Sequence, residues 1–401
     1  MIHFEDAAQP APRGFSLMLK PAGALCNLGC TYCYYLDKGP QTAAGGGARM
    51  SLSALEHIIR SYCEACEGPE LQFIWHGGEP LLMGPDFFRA AIELERRYAL
   101  GRPVFNSIQT NGLLLSPEWA ELFRQANFLV GISIDGPQEV HGRYRMDRGG
   151  APVFERVVAA VELLRDAGVQ FNTLTAVSRA SEGRGAEVYR FLKSLGSRHM
   201  QFLPVVEYVR FRGKKARPLI VEPKPEAGGA PAPWSVSGPD FGQFMADIFD
   251  EWIRSDIGTV YVQLFDAALA AWCGLPPGVC TLSRRCEGTA VVEQNGDLYP
   301  CDHFVYPAYR IGNLFETPLR ELMERPEWER FAARKLSTLP GRCQRCPWLP
   351  ACNGECPQHR DPGSGVSALC EGYRLFFSHA APQLDRLRAE LFGPPKTPVP
   401  E

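Results

Sequence analysis

The stretch of sequence that decides the fold is LMLKPAGALCNLGCTYCYY, residues 17–35. A short apolar strand pattern opens it, and Cys26, Cys30 and Cys33 follow with the spacing C-x3-C-x2-C. Three thiolates in a tight loop can hold three irons of a 4Fe-4S cluster and leave the fourth iron open, whereas ferredoxin-type clusters use four thiolates. A structural zinc site would need a fourth close protein ligand. The loop therefore predicts a reactive iron–sulfur site.

Strand and helix patterns alternate along the first half of the chain. The predicted strands are Phe15–Lys20, Leu71–Trp75, Phe105–Thr110, Leu129–Ile134, Phe171–Val177 and His199–Val205. The predicted helices lie near residues 52–66, 85–99, 117–126, 153–167 and 184–195. Ser51 and Ser116 are predicted N-caps, and Pro117 fits a first helical position. This alternation favours a parallel sheet with crossover helices, and six units are too few for a closed eight-stranded barrel, so we predict an α/β fold with a partial (β/α)6 TIM-like barrel.

The composition is that of an ordinary globular protein. The 401 residues are 45% hydrophobic and 22% charged, and the net charge of −3 gives no global field for nucleic acid or an anionic membrane. No apolar run approaches the roughly 20 residues that span a bilayer, and the N-terminus lacks a secretory signal. We therefore expect a cytoplasmic monomer with no nucleic-acid or membrane partner.

Cysteine is unusually frequent, with 14 cysteines in a chain that has no export signal. In a reducing compartment, cysteines are ligands or catalytic groups more often than disulfides. Eight of them form a C-terminal set: Cys280, Cys286, Cys301, Cys343, Cys346, Cys352, Cys356 and Cys370. Eight thiolates can hold two fully ligated 4Fe-4S clusters, and a pair of four-thiolate zinc sites is the alternative. The remaining Cys63, Cys66 and Cys273 are interpreted as buried free thiols, although a redox or ligand role for the first two is conceivable.

The chain divides into four predicted segments. Residues 1–237 form the barrel, and residues 207–237, rich in Pro, Gly, Ala and basic residues, are predicted to be a long loop or linker. Residues 238–279 bridge to a cysteine-rich domain at 280–375, and 376–401 is a helix with a disordered tail. Five basic residues of the loop could steer an acidic partner, although a solvated loop is favoured: Arg210, Arg212, Lys214, Lys215 and Arg217.

The three-cysteine loop, with Tyr32 before its last cysteine, resembles that of the radical S-adenosylmethionine superfamily. The resemblance implies that S-adenosylmethionine binds the open iron and is cleaved to a 5′-deoxyadenosyl radical. GGEP at 77–80 follows the second strand, and polar residues end the third and fourth, where barrel enzymes place their chemistry. The implied cofactor contacts are Tyr32, Gly77, Gly78, Glu79, Ser133, Arg145 and Leu203. Gly77 and Gly78 would let the backbone approach the methionine ammonium, while Ser133 and Arg145 would contact ribose and carboxylate and Leu203 the adenine.

The C-terminal cysteines resemble the twin-cluster extension called the SPASM domain. The first auxiliary cluster would be held by Cys280, Cys286, Cys301 and Cys356. The second would be held by Cys343, Cys346, Cys352 and Cys370. The resemblance thus implies two auxiliary clusters in the C-terminal domain and three 4Fe-4S clusters in total.

A whole-chain resemblance runs from about residue 14 to 380. Stretches such as FIWHGGEPLL, LVGISIDGP and CDHFVYPAYRIGN are similar to those of the anaerobic sulfatase-maturating enzymes. This implies oxidation of a Cys or Ser in a C/S-x-P-x-R motif of an unfolded or nascent sulfatase to Cα-formylglycine, with a low-potential electron donor such as flavodoxin or ferredoxin. Asp302, next to Cys301, would be the general base, with His303 as the competing candidate. Tyr35 would face the substrate side chain.

Three alternatives stay open. A SPASM-type enzyme that forms thioether or carbon–carbon crosslinks in ribosomal peptides would share all three clusters, but 14 residues before the first strand leave no room for a precursor-recognition domain. A non-catalytic electron-transfer protein would have no need of an open iron. A structural zinc protein would contain zinc and no acid-labile sulfide.

Overall fold

The computed structural model describes residues 14–35, 49–211, 218–222, 224, 229–286 and 288–393. Its first half is the predicted partial barrel of six parallel strands. The strands are β1 Ser16–Lys20, β2 Leu71–Trp75, β3 Val104–Thr110, β4 Leu129–Ser133, β5 Phe171–Val177 and β6 His199–Pro204. The crossover helices are α1 Leu52–Ala65, α2 Pro85–Tyr98, α3 Pro117–Gln125, α4 Gln138–Tyr144, α5 Phe154–Asp166 and α6 Gly185–Ser194. All six predicted strands and five predicted helices are confirmed, and α4 is an additional helix.

Local signals in the sequence fix where these helices begin. The Ser51 hydroxyl accepts a hydrogen bond from the amide of Ala54 at 3.1 Å, and Ser116 accepts one from Trp119 at 3.4 Å. Pro117 occupies the first turn of α3. These side chains satisfy amide groups that have no partner inside the helix, which confirms both predicted N-caps.

The barrel sheet continues into the C-terminal half of the chain. Strand β11 (Thr289–Glu293) pairs in parallel with β1, so that Lys20 lies opposite Glu293. Strands β12 (Asp297–Tyr299) and β13 (Gly312–Asn313) extend this side, and β10 (Tyr261–Val262) joins β6 at the other edge. The C-terminal half therefore covers the β1 edge of the barrel and brings Cys301 beside the 26–33 loop.

Three short stretches of the proline-rich segment form β-strands. Strands β7 (Tyr208–Arg210), β8 (Leu219–Val221) and β9 (Ala230–Pro231) form a small antiparallel sheet in the order β8-β7-β9. The prediction of a loop is wrong for these residues, because Tyr208, Val209 and Ile220 bury apolar side chains despite the surrounding Pro and Gly. Of the five basic residues, Arg210 lies on β7, while Arg212, Lys214, Lys215 and Arg217 lie outside the described residues.

Two long helices join the halves. Helices α7 (Gly238–Ser255) and α13 (Cys370–Phe392) cross where Gly242 meets Gly372, and a Cβ at Gly242 would lie 2.5 Å from the Gly372 carbonyl oxygen. The bridging segment, residues 238–279, contains α7 and α8 (Gln263–Trp272) with a break between them. The remaining helices are α9 Leu319–Met323, α10 Pro326–Ser337, α11 Gly341–Gln344 and α12 Leu349–Cys352. Within the described residues, no helix is long and apolar enough to cross a membrane.

Candidate active site

The cysteine loop, residues 26–33, lies directly after β1. Its three thiols are close enough to influence one another electrostatically, and Asn111 donates to the Cys26 sulfur at 3.6 Å. Burial raises the pKa of Cys26 to about 11 and that of Cys30 to about 12, the latter against the lowering effect of Arg145. Cys30 is buried and the other two are half-buried, so three converging thiols are costly to ionise without a cationic centre, and this donor set fits an iron–sulfur cluster.

Gly77 and Gly78 pack against the cysteine loop. The amide of Gly78 donates to the Gly23 carbonyl at 2.8 Å, and the amide of Glu79 donates to Leu25 at the same distance. A Cβ at Gly78 would lie 2.1 Å from the Leu25 carbonyl oxygen, and Gly77 has a φ of +116°. Glycine is therefore required here for close contact between two protein backbones. Approach to a methionine ammonium stays a prediction.

Glu79 ties the end of β2 to the end of β3. Its buried carboxylate accepts hydrogen bonds from the amides of Leu81 (3.0 Å) and Asn111 (2.8 Å) and from the Thr110 hydroxyl (2.8 Å). Burial raises the pKa of Glu79 to about 7, against the lowering effect of these donors. The contacts place the side chain of Asn111 beside Cys26. A contact between Glu79 and the cofactor stays a prediction.

Arg145 belongs to a buried polar group at the end of β4. Its Nε donates to Asp135 Oδ2 at 3.0 Å, and the Tyr32 hydroxyl donates to the same oxygen. The guanidinium also lies 5.5 Å from the centre of the Tyr32 ring. Arg145 is thus buried, and its charge lies within electrostatic reach of Cys30.

Ser133 and Leu203 lie at the carboxyl ends of their strands. Ser133 accepts a hydrogen bond from Gln109 at 3.0 Å, and the Leu203 side chain is 39% exposed. Both occupy the edge of the barrel where the cysteine loop begins, as parallel strands require. Their contacts with ribose and adenine stay predictions.

The eight C-terminal cysteines fall into two groups in space. In the first thiol group, Cys301 lies within electrostatic reach of Cys280 and Cys286, and Cys356 within reach of Cys280 and Cys301. The second thiol group lines one cavity of about 190 Å³ and consists of Cys343, Cys346, Cys352 and Cys370. In the described part of the chain, no three His, Cys, Asp or Glu side chains surround a single point as they would one metal ion. The structure therefore brings together both predicted ligand sets, and ligation itself stays a prediction.

Asp302 lies between the cysteine loop and the first thiol group. It forms an ion pair with Lys20 and accepts a hydrogen bond from the Tyr34 hydroxyl, and Tyr34 is within electrostatic reach of both Cys33 and Cys301. Burial alone would raise the pKa of Asp302, but the positive charge of Lys20, with help from neighbouring histidines, holds it well below its usual range. The Asp302 carboxylate is thus fixed between the cysteine loop and the first thiol group.

Tyr35 and His303 occupy supporting positions around Asp302. The Tyr35 side chain is 3% exposed, and its hydroxyl donates to the two oxygens of Glu293 at 2.6 and 2.7 Å. The His303 ring stacks on Tyr34 with 4.9 Å between ring centres. A catalytic role for Tyr35 stays a prediction, because its hydroxyl is engaged by Glu293 in this structure.

Sequence reasoning missed several members of this site. The missed residues are Lys20, Tyr34, His76 and Glu293. A signal was present, because Lys20 and Glu293 are charged residues that end apolar strands and His76 directly follows another. In barrel enzymes such positions carry the chemistry.

Comparisons with known proteins agree with this geometry. Residues 22–192 match the radical SAM superfamily, and residues 280–347 match the SPASM iron–sulfur cluster-binding domain. A serine-type anaerobic sulfatase-maturating enzyme from Bacteroides thetaiotaomicron is 41% identical over 390 residues, which cover 96% of this chain and 94% of that protein. A cysteine-type enzyme from Clostridium novyi is 31% identical over 373 residues, or 91% of this chain and 95% of that protein.

A solved structure extends the agreement to three dimensions. Native anSMEcpe with bound AdoMet and the Cp18Cys peptide superposes with a TM-score of 0.81 at 30% identity, over 94% of this chain and 99% of that chain. Similarity at this level over nearly the whole length includes both halves of the fold. This chain therefore belongs to the anaerobic sulfatase-maturating enzymes of the radical SAM superfamily.

Proposed function

We propose that this enzyme oxidises the Cβ of a serine in a C/S-x-P-x-R motif of an unfolded or nascent sulfatase to the aldehyde of Cα-formylglycine, without oxygen. Serine is the proposed target because the serine-type relative is 41% identical and the cysteine-type relative 31%. The single observation that carries the proposal is the position of the Asp302 carboxylate, which Lys20 and Tyr34 hold between the cysteine loop and the first thiol group.

The oxidation divides into three transfers that balance. The serine CH₂OH loses one hydrogen atom from Cβ, one hydroxyl proton, and one electron that goes to an oxidised iron–sulfur centre. Cys26, Cys30 and Cys33 would hold the cluster that gives one electron to bound S-adenosylmethionine, and the cleavage of that cofactor to methionine would supply the 5′-deoxyadenosyl radical that takes the hydrogen atom. Asp302 takes the proton. The products are the aldehyde, 5′-deoxyadenosine and methionine.

The position of Asp302 supports its proposed role as the general base. A base must lie within hydrogen-bond reach of the proton that it takes, and such a group accelerates a reaction by about 10²–10⁴-fold. The Asp302 side chain is 16% exposed, so one edge remains accessible to a substrate. A serine hydroxyl holds its proton more tightly than a thiol, so the serine reaction depends more strongly on this base.

A buried ion pair between Arg145 and Asp135 lies at the cofactor end of the site. Arg145, neutralised by Asp135, places a guanidinium beside Cys30 at the cofactor end of the barrel. Bidentate guanidinium groups suit the carboxylate of a bound amino acid, which supports the predicted role of Arg145. The cofactors of this proposal are S-adenosylmethionine and three 4Fe-4S clusters.

The test uses anaerobically reconstituted and reduced enzyme with S-adenosylmethionine. Three synthetic peptides carry Ser, Cys or Ala at the motif position, and mass spectrometry follows 5′-deoxyadenosine while a hydrazide label detects aldehyde. We expect aldehyde from the Ser peptide and none from the Ala peptide. Nucleoside accompanied by an unlabelled peptide that has lost two hydrogens would favour the crosslinking alternative, because a crosslink contains no aldehyde. A flavodoxin or ferredoxin reductant, a monomeric state and a cytoplasmic location stay predictions.

A further inference from the structure

The two oxygens of Asp302 are held by two different residues of the stretch 17–35. Lys20 pairs with Oδ1, and the Tyr34 hydroxyl donates to Oδ2. We name Lys20, Tyr34 and Asp302 the inner trio. Contacts on both oxygens fix the plane of the carboxylate, since a single contact would leave it free to rotate.

Lys20 is a fully buried charge whose ion-pair partner is Asp302. Its side chain is 0% exposed, and it is the last residue of β1. A lysine is almost never fully buried unless it is paired, because the loss of hydration costs several kcal/mol. The sequence thus maintains a costly charge directly beneath the proposed base. An aliphatic residue at this position would have been sufficient for packing inside the barrel.

A second layer holds the ammonium group of Lys20. The Lys20 Nζ lies 3.8 Å from the centre of the Tyr35 ring, within the range of a cation–π contact. Both oxygens of Glu293 accept the Tyr35 hydroxyl, and Glu293 is the residue opposite Lys20 in the β1–β11 pairing. The sheet register therefore sets the position of Glu293. Glu293 orients Tyr35 by accepting its hydroxyl, and the Tyr35 ring in turn covers the Lys20 ammonium group.

We propose that Lys20 is the positioning residue for Asp302 in the proton transfer. The proposal rests on the proposed function. With Oδ1 paired to Lys20 and Oδ2 accepting from the Tyr34 hydroxyl, the carboxylate is held in one orientation, and its 16% exposed fraction is the part that a substrate hydroxyl can reach. Lys20 acts through Asp302 and has no contact of its own with the reacting atoms. Its loss slows the proton transfer and separates radical formation from aldehyde formation.

The experiment measures the ratio of 5′-deoxyadenosine to aldehyde with the serine peptide. Lys20→Met removes the charge and keeps the length of the side chain, and Lys20→Arg keeps the charge. Lys193→Met is the matched control, since Lys193 also pairs with an aspartate that accepts a tyrosine hydroxyl, Asp256. Iron and sulfide content are measured for every variant, and Lys20→Gln replaces Lys20→Met if the latter loses iron.

We expect Lys20→Met to raise the ratio by about tenfold through a fall in the kcat for aldehyde, with a KM for the peptide near that of the wild type. Lys20→Arg keeps the charge, so its ratio should lie between those of Lys20→Met and the wild type. Lys193→Met leaves the ratio unchanged. In an Asp302→Asn background, Lys20→Met has no further effect on the ratio, because it acts through Asp302.

Several results would overturn the positioning role. One is an unchanged ratio of 5′-deoxyadenosine to aldehyde in Lys20→Met that keeps its iron. Another is a further change in that ratio when Lys20→Met is added to Asp302→Asn. The third is loss of iron from both Lys20→Met and Lys20→Gln, which would show that the fold requires Lys20. A failure of the proposed function looks different: wild-type enzyme then forms no aldehyde from the serine peptide.

Discussion

Two Lys–Asp–Tyr trios in this molecule make the same contacts in different surroundings. The outer trio consists of Lys193, Asp256 and Tyr189. In the outer trio, the Lys193 side chain is 35% exposed and links α6 to the end of α7. In the inner trio, Lys20 is fully buried at the end of β1, and Asp302 follows the thiol of Cys301. The same three residue types thus link two helices in one place and border the candidate reaction site in the other.

The burial of the lysine separates the two trios: Lys20 is fully buried and Lys193 is 35% exposed, whereas both aspartates are largely buried. In each, burial alone would raise the pKa of the aspartate, and the lysine instead lowers it below its usual range. Burial also raises the pKa of both tyrosines, with the neighbouring carboxylate as a further cause, so both remain protonated donors. A partly exposed ion pair contributes about 0–1 kcal/mol, whereas removal of one partner from a buried pair costs about 3–5 kcal/mol.

The largest expected difference concerns the two aspartates. Asp302→Asn removes the proposed base, and we expect aldehyde formation to fall by about 10²–10⁴-fold while 5′-deoxyadenosine is still produced. Asp256→Asn should leave both products at wild-type levels. Both are measured by mass spectrometry with the serine peptide. Near-normal aldehyde formation by Asp302→Asn would show that another group is the general base, with His303 as the first candidate.

The two lysines should differ in their contribution to stability. Lys20→Met leaves a buried carboxylate without its partner, and we expect a loss of about 3–5 kcal/mol in the free energy of unfolding. Lys193→Met should lose about 0–1 kcal/mol. Anaerobic urea unfolding of the cluster-loaded proteins, followed by tryptophan fluorescence, gives both values. Equal losses would show that burial is not what distinguishes the trios.

The tyrosine hydroxyls give a smaller contrast. Tyr34→Phe removes one hydrogen bond to a charged acceptor, worth about 1.5–3 kcal/mol, and leaves Lys20 in place. We expect aldehyde formation to fall by about tenfold, the lower end of that range. Tyr189→Phe is the matched variant and should keep wild-type activity. An inactive Tyr34→Phe with normal iron content would instead indicate that this hydroxyl takes part in the proton transfer itself.

The smallest effect should come from the layer beneath the inner trio. Glu293→Gln leaves Tyr35 with one acceptor oxygen, so we expect a loss of about 1 kcal/mol in stability and a change in aldehyde rate of about threefold or less. Tyr35→Phe removes the same contact from the other side and should reproduce the value. A large and unequal effect of Tyr35→Phe would support the predicted contact between Tyr35 and substrate.

The sequence predicted the barrel better than it predicted the inner trio, for a physical reason. The six strands follow from the local alternation of apolar runs and helical patterns. Ser51 and Ser116 mark where their helices begin, because their side chains cap the first turn. The pairing of Lys20 with Asp302 joins residues far apart in the chain and depends on how β11 docks on β1. Asp302 was found because it neighbours a cysteine, whereas Lys20 has no such neighbour.

Two further differences arise from contacts that no local pattern contains. Three short stretches of the 207–237 segment, β7, β8 and β9, form a sheet because a few of their apolar residues pack together within a proline-rich sequence. Gly77 and Gly78 are required by the approach of the cysteine loop, which a strand–turn pattern does not reveal. In both cases the residue types were visible in the sequence, but their partners were not.

Deuterium transfer tests the central claim, oxidation at Cβ of the target residue, most directly. The enzyme is reduced and incubated with S-adenosylmethionine and a motif peptide whose serine carries two deuterium atoms on Cβ. We expect one deuterium in 5′-deoxyadenosine and the other on the aldehyde carbon, because the radical removes one Cβ hydrogen and the second remains. Unlabelled 5′-deoxyadenosine formed together with aldehyde would contradict direct abstraction from Cβ, and labelled nucleoside without aldehyde would contradict the oxidation.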